Sequence, residues 1–174
     1  MTRAPIVAAT VALLLAAVAA ASSHSALQSA PRAVPCSEII ATTKWPYIGN
    51  RDPRYRYRSL LGAVAVAPAY ISQVVRQREG SWYFAKAGLV VRAGGGPLRV
   101  SVPLAWRKRA AITWGGNTGI TNSLRIARCG SDSNRGNAYA GGFYLRSRSA
   151  CLPLIFRAGS RSTTVRFGLG RRCP

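Results

Sequence analysis

From residue 60 onward the chain reads as short apolar-rich runs, several of them alternating apolar and polar positions, separated by turn-forming residues. Eight strands are predicted, at 60–67, 86–92, 98–104, 109–114, 123–129, 138–146, 152–157 and 163–169. In Leu98-Arg99-Val100-Ser101-Val102 every second residue is apolar, the period of a strand with one face buried. Two such runs flank Gly159-Ser160, which predicts a hairpin, because glycine accepts the positive φ of a tight turn. Gly94-Gly95-Gly96-Pro97 and Gly115-Gly116-Asn117 mark further turns. Only 69–77 has a helical spacing, with Ile71, Val74 and Val75 on one face. Residues 45–58 are polar and aromatic, and Pro53 excludes a central strand there, so a loop or edge segment is expected. Short strands with Gly and Pro turns predict an all-β fold. The expected form is a two-layer antiparallel β-sandwich, Ig-like or jelly-roll-like, with about eight strands.

The N-terminus departs from this pattern. Arg3 precedes an apolar run over 6–21, and Ala19-Ala20-Ala21 before Ser22-Ser23 offers a small-residue cleavage site. These are the parts of an export signal, with an N-terminal signal helix cleaved after Ala21. A retained anchor is the competing reading, but a spanning helix needs about 20 apolar residues. Residues 22–35 are Ser/Ala/Pro-rich without periodicity and are expected to form a disordered stub. Residues 36–174 then form one domain. All four cysteines, Cys36, Cys129, Cys151 and Cys173, follow the leader. An even count in an exported chain implies two disulfides, in any of three pairings. Zinc is disfavoured, because there is no Cys-x-x-Cys pair and the only histidine is His24.

Charge changes the picture most. Twenty-two Arg and three Lys face only Glu38, Asp52, Glu79 and Asp132, a formal net charge of +21. Loss of Arg3 with the leader leaves +20. Such a field attracts polyanions and anionic membrane surfaces. A GC-rich genome explains why Arg replaces Lys, but not why acids are scarce.

The same composition removes most catalytic chemistry. With His24 alone, in the stub, histidine-dependent triads and histidine metal sites have no residues to use. A glycosidase needs two carboxylates about 5–10 Å apart across one bond. Only four acids exist, none sits near another in sequence, and nothing in the sequence indicates that folding brings two together. No nucleophile elbow, Walker loop or dinucleotide fingerprint occurs. A Ser–Lys dyad on Lys44, Lys86 or Lys108 is the one hydrolytic arrangement left open. The expectation is a non-enzyme without metal or cofactor, secreted or held at the cell envelope, and monomeric.

Binding candidates are therefore cationic and aromatic. Arg51, Arg54, Arg56 and Arg58 interleave with Tyr55 and Tyr57, so an extended chain would separate guanidinium and ring faces. The bland alternative is an edge strand with tyrosines packed inward and arginines left wet. Arg107, Lys108 and Arg109 follow Trp106, and Arg171 and Arg172 lie near the C-terminus. Trp–Arg stacking at a corner would account for the former, and capping of the last strand for the latter. Trp45, Tyr47 and Trp106 are the aromatics expected to be exposed for stacking, whereas most other rings should be core. The ligand classes this favours are anionic wall polymer, acidic lipid headgroups and extracellular nucleic acid. A structural or protein-interaction module without such a ligand is the alternative.

Four segments carry a resemblance. They are Lys86-Ala87-Gly88-Leu89-Val90-Val91-Arg92-Ala93-Gly94, the stretch from Ala105-Trp106 to Trp114-Gly115, Ala140-Gly141-Gly142-Phe143, and Gly168-Leu169-Gly170-Arg171-Arg172-Cys173. Together they resemble a group of small exported proteins of GC-rich actinobacteria, over roughly residues 86–174. The resemblance implies an exported β domain and carries no activity, ligand or catalytic residue.

Overall fold

The computed structural model describes residues 30–49, 52, 56–77 and 80–174. The leader and its cleavage site, His24, Arg51, Arg54 and Tyr55 lie outside the described residues. The fold is all-β and sandwich-like, with fifteen strands among the described residues where about eight were expected.

One layer is a six-stranded sheet in the order β1 (Arg32–Val34), β11 (Ser123–Ile126), β9 (Leu98–Ser101), β14 (Ala150–Ala158), β15 (Arg161–Leu169) and β5 (Tyr70–Ile71). The predicted Gly159-Ser160 hairpin is its centrepiece, nine residues on each side. Along β14 the alternation buries Leu152, Leu154 and Phe156 completely. Each such side chain contributes about 1.5–3 kcal/mol. Both sheet ends depart from a purely antiparallel arrangement, since β1 pairs with β11, and β5 with β15, in parallel.

The opposite side comprises a four-stranded sheet and a five-stranded one. The first is β10 (Ala110–Trp114), β13 (Gly141–Leu145), β7 (Tyr83–Lys86) and β6 (Val75–Arg76). The second is β2 (Ala41–Lys44), β12 (Arg135–Tyr139), β8 (Leu89–Arg92), β4 (Val64–Val66) and β3 (Arg58–Leu60). Two chains run from one sheet into the other, β7 into β8 through Ala87-Gly88 and β12 into β13 through Ala140. The two sheets are thus halves of one bent layer, stitched at the fold line by Ala87 N–H donating to the Gly141 carbonyl at 2.9 Å. Gly141 and Gly142 make the bend possible, because a Cβ on either would collide with the Thr113 or Ala85 carbonyl. Trp114 fills the corner, its indole N–H bonded to the Ala87 carbonyl at 2.9 Å. Phe143 then meets Phe167 of the six-stranded sheet at 5.0 Å between ring centres, which joins the layers.

Several expectations are corrected. The predicted strand at 60–67 is a hairpin, because Leu61 and Gly62 take φ of 55° and 60° and reverse the chain. The one at 138–146 breaks at the fold line. Residues 69–77 form strands β5 and β6 rather than a helix, since the ends of β15 and β7 offer backbone partners there. Within the expected stub, Arg32–Val34 is a strand, and Val34 is fully buried.

The disulfides pair Cys36 with Cys129 and Cys151 with Cys173. The first lies where two chains, after β1 and after β11, leave the six-stranded sheet for the five-stranded one. Its 93-residue separation gives it the larger loop-closure effect, about 4–5 kcal/mol against about 3 kcal/mol for the 22-residue separation of the second. Two disulfides fit an oxidising, extracellular environment. Among the described residues no helix is long and apolar enough to cross a membrane.

Candidate functional site

Among the described residues, the expected site residues are spread over several surfaces. Arg56 is exposed, but Arg58 is half-buried and lies 5.3 Å from the centre of the Phe167 ring. Its Nε and Nη2 are buried without a hydrogen-bond partner, and burial lowers its pKa. Arg58 is therefore not the wet member of an alternating run that the sequence implied. Tyr57 is half-buried too, edge-on to Tyr47 at 4.9 Å, and its pKa is raised by burial and by the Tyr47 neighbour. Trp45 and Tyr47, expected to be exposed for stacking, are also half-buried. A Cβ on Gly136 would sit 2.7 Å from Val90 Cγ1 and 3.3 Å from Trp45 Cε3, so the Trp45 ring lies directly on the five-stranded sheet. Trp106 carries the Arg109 guanidinium at 4.2 Å, the stacked corner, with Lys108 exposed beside it. Arg171 is exposed, and Arg172 stacks on Tyr70 at 5.1 Å.

What the sequence reading missed is a row of arginines across the six-stranded sheet. Arg125 in β11 is directly opposite Arg99 in β9, and Arg99 is directly opposite Arg157 in β14. All three are exposed on the outer face, and none of their side chains has a hydrogen-bond or ion-pair partner among the described residues. The row continues to Ala33 on one side and Ser162 on the other, with no carboxylate in it. Each arginine had a local signal: it stands between two buried apolar residues, as in Leu98-Arg99-Val100, Leu124-Arg125-Ile126 and Phe156-Arg157-Ala158. Nothing local shows that the three strands are neighbours.

Beside the row lies a depression of about 240 Å³. The next rank of the sheet, Ser123, Ser101 and Ile155, forms its floor, and Arg107 reaches in from the far side. Arg107 is anchored by Nε donating to the Val102 carbonyl at 3.3 Å. One predicted arginine thus joins two unpredicted ones, Arg99 and Arg157, around two serine hydroxyls. The arrangement can hold oxyanions by charge-assisted hydrogen bonds.

Two of the four acids are engaged elsewhere. Glu38 accepts from the Asn117 side-chain amide at 2.8 Å and from its backbone N–H at 3.2 Å, and the first of these bonds is the main reason its pKa is lowered. Asp132 accepts from the Asn134 N–H at 2.9 Å. Among the described residues no group of three His, Cys, Asp or Glu side chains could hold a metal. Lys44, Lys86 and Lys108 are all exposed.

Two other surfaces carry chemistry. On the four-stranded sheet Phe84 faces Tyr144 at 4.8 Å, Trp82 meets Tyr144 edge-on, and Arg146 stacks on Trp82 at 3.7 Å. Val75, opposite Phe84, is 61% exposed. A cleft of about 660 Å³ lies at the fold line and brings together Tyr57, Tyr70, Lys86 and Arg172. Fold and surface together define a disulfide-bonded all-β domain with a bare cationic sheet face. Comparison of the chain with protein-family models and with curated proteins returns no match.

Proposed function

We propose that this protein is exported and serves as a non-catalytic binding module for anionic polymer of the cell envelope, taken up across the outer face of the six-stranded sheet. The observation that carries this reading is the Arg125–Arg99–Arg157 row without a carboxylate. Like charges directly opposite one another destabilise a sheet. At ~5 Å in water each neighbouring pair opposes folding by about 1 kcal/mol before salt screening. A bound polyanion removes that repulsion. Adjacent strands lie about 4.8 Å apart, so three guanidiniums present a cationic front of roughly 10 Å to a linear chain of phosphates or carboxylates. The two disulfides and the apolar leader at 6–21 support export.

The test compares R99S/R125S/R157S with R128S/R148S/R161S, which removes equal charge elsewhere, on isolated cell wall, anionic vesicles and polyphosphate across a salt series. The row variant is expected to lose most polyphosphate and wall binding, and its salt slope should fall by about three. Equal weakening of both variants would overturn the reading, because diffuse charge rather than this face would then be responsible. Binding confined to vesicles would reassign the ligand to a lipid surface.

A second reading, a protein-interaction module, draws on the exposed Val75 beside Phe84, Tyr144 and Trp82. On that reading the row variant leaves localisation unchanged.

A further inference from the structure

The 660 Å³ cleft at the fold line is built differently from the arginine face. Its buried floor is apolar, formed by Ala67 and Ala87 with Pro68 beside them, while Ser72 and Gln73 add polar groups to the lining. Its walls are the Tyr57 and Tyr70 rings. Its two cations, Lys86 and Arg172, are exposed and therefore stand at the mouth. No acid lines it.

Each part is positioned by the fold. Tyr57 closes onto Gly88, where a Cβ would strike its hydroxyl oxygen at 2.7 Å, so the glycine is what admits the ring. The segment carrying Ala69 and Tyr70 is fixed to β15 by Gly168 N–H donating to the Ala69 carbonyl at 2.7 Å, and by Gly170 N–H donating to that of Ile71 at 2.8 Å. Arg172 is held by the C-terminal tail. The tail folds back over Gly168, whose missing side chain leaves room for the Arg172 and Cys173 backbone, and the Cys151–Cys173 disulfide ties it down. The guanidinium then rests on Tyr70 at 5.1 Å. Lys86 arrives from β7, immediately before the bend.

We infer that this cleft is a second binding site, for a small amphiphilic anion: a phosphate or carboxylate head at Lys86 and Arg172, with an apolar body over the alanine and proline floor between the tyrosines. Its volume lies within the range of small-molecule sites, which pair an apolar lining with a few placed polar groups. Amphiphilicity is the requirement that separates it from the arginine face, where charge alone suffices. The second disulfide has a function on this account, since it keeps one of the two cations at the mouth.

The experiment is calorimetric titration of the oxidised protein with hexyl phosphate, hexanoate, hexanol and inorganic phosphate. Hexyl phosphate or hexanoate should bind at least about tenfold more tightly than inorganic phosphate and hexanol, a difference of ~1.4 kcal/mol. K86S and R172S should each weaken binding by about tenfold. C151S/C173S should do the same as R172S, while R99S/R125S/R157S should leave it unchanged. Equal binding of inorganic phosphate and hexyl phosphate would overturn the inference, as would no saturable binding at millimolar concentration, or loss in the R99S/R125S/R157S variant alone. The last outcome leaves the polymer-binding face intact as a proposal, and failure of that face leaves this cleft untouched.

Discussion

Two outer sheet faces of this domain are treated in opposite ways. Across the five-stranded sheet one rank reads Ala41, Ala138, Val90 and Ala65, from registers that pair β2 with β12, β12 with β8, and β8 with β4. Val90 and Ala65 are buried although neither belongs to the central core cluster, and beside Val90 the chain after β2 lays Trp45 over Gly136. The Tyr57 N–H donates to the Ile48 carbonyl at 3.0 Å and Gly49 bridges to Arg56, so this cover is pinned to itself. Across the six-stranded sheet the matching rank reads Ala33, Arg125, Arg99, Arg157 and Ser162, with no such cover among the described residues. A small apolar rank gains free energy when the molecule's own chain covers it. A cationic rank gains nothing from apolar cover and is lowered in energy only by negative charge. The chain has four acids, and Glu38 and Asp132 are bonded elsewhere.

The contrast also divides the arginines. Arg58, Arg109, Arg146 and Arg172 lie over Phe167, Trp106, Trp82 and Tyr70. In a chain short of carboxylates, ring faces take the part that acids usually play, at about 0.5–2 kcal/mol each. Among the described residues the row of three has neither.

The comparison can be broken most forcefully on the covered side. Trp45→Ala should strip the five-stranded sheet of its cover and destabilise the domain by about 2 kcal/mol, read as a lower midpoint in urea. No change would mean that the outer apolar rank tolerates water. On the bare side the sign should reverse: R99T should stabilise the free protein by about 0.5–1 kcal/mol at low salt, and the gain should vanish as salt screens the row. A destabilising R99T would show that the arginine stem contributes packing that outweighs the repulsion. The smallest effect concerns Glu38, the acid next to the β1 end of the bare sheet. Its carboxyl is bonded to Asn117, and its pKa in the folded state is lowered from 4.5. Its contribution is therefore present above the unfolded value and is lost as pH falls through the lowered folded one. Glu38→Gln should slightly lower Tm at neutral pH, remove that part of the acid dependence, and leave the salt slope of polyanion binding unchanged. A changed slope would make Glu38 a counter-ion of the face.

Much of this architecture is local and was legible. The alternation in 98–102, 152–157 and 163–169 and the Gly159-Ser160 turn needed only the two-residue period of a strand and the backbone freedom of glycine, and the hairpin stands as read. The expectation failed where local pattern is ambiguous. Residues 69–77 have a helical spacing but too few apolar positions to favour a helix over the backbone partners that β15 and β7 offer. Residues 138–146 read as one continuous strand-like run, yet close approach of the Thr113 and Ala85 carbonyls turns Gly141-Gly142 into a corner.

The candidate site was legible only in its ingredients. Composition alone determined that this protein carries a large uncompensated positive charge, lacks the histidines for most catalysis, and has cysteines for two crosslinks. Tertiary structure decided which cysteines pair, which tyrosines are covered, and which arginines stand together. The physical reason is that side-chain neighbours in a sheet are set by strand order and register. Arg99, Arg125 and Arg157 come from strands far apart in sequence, and only the order β11, β9, β14 makes them adjacent. Strand order in turn follows from closing one continuous apolar core, a property of the whole chain rather than of any segment.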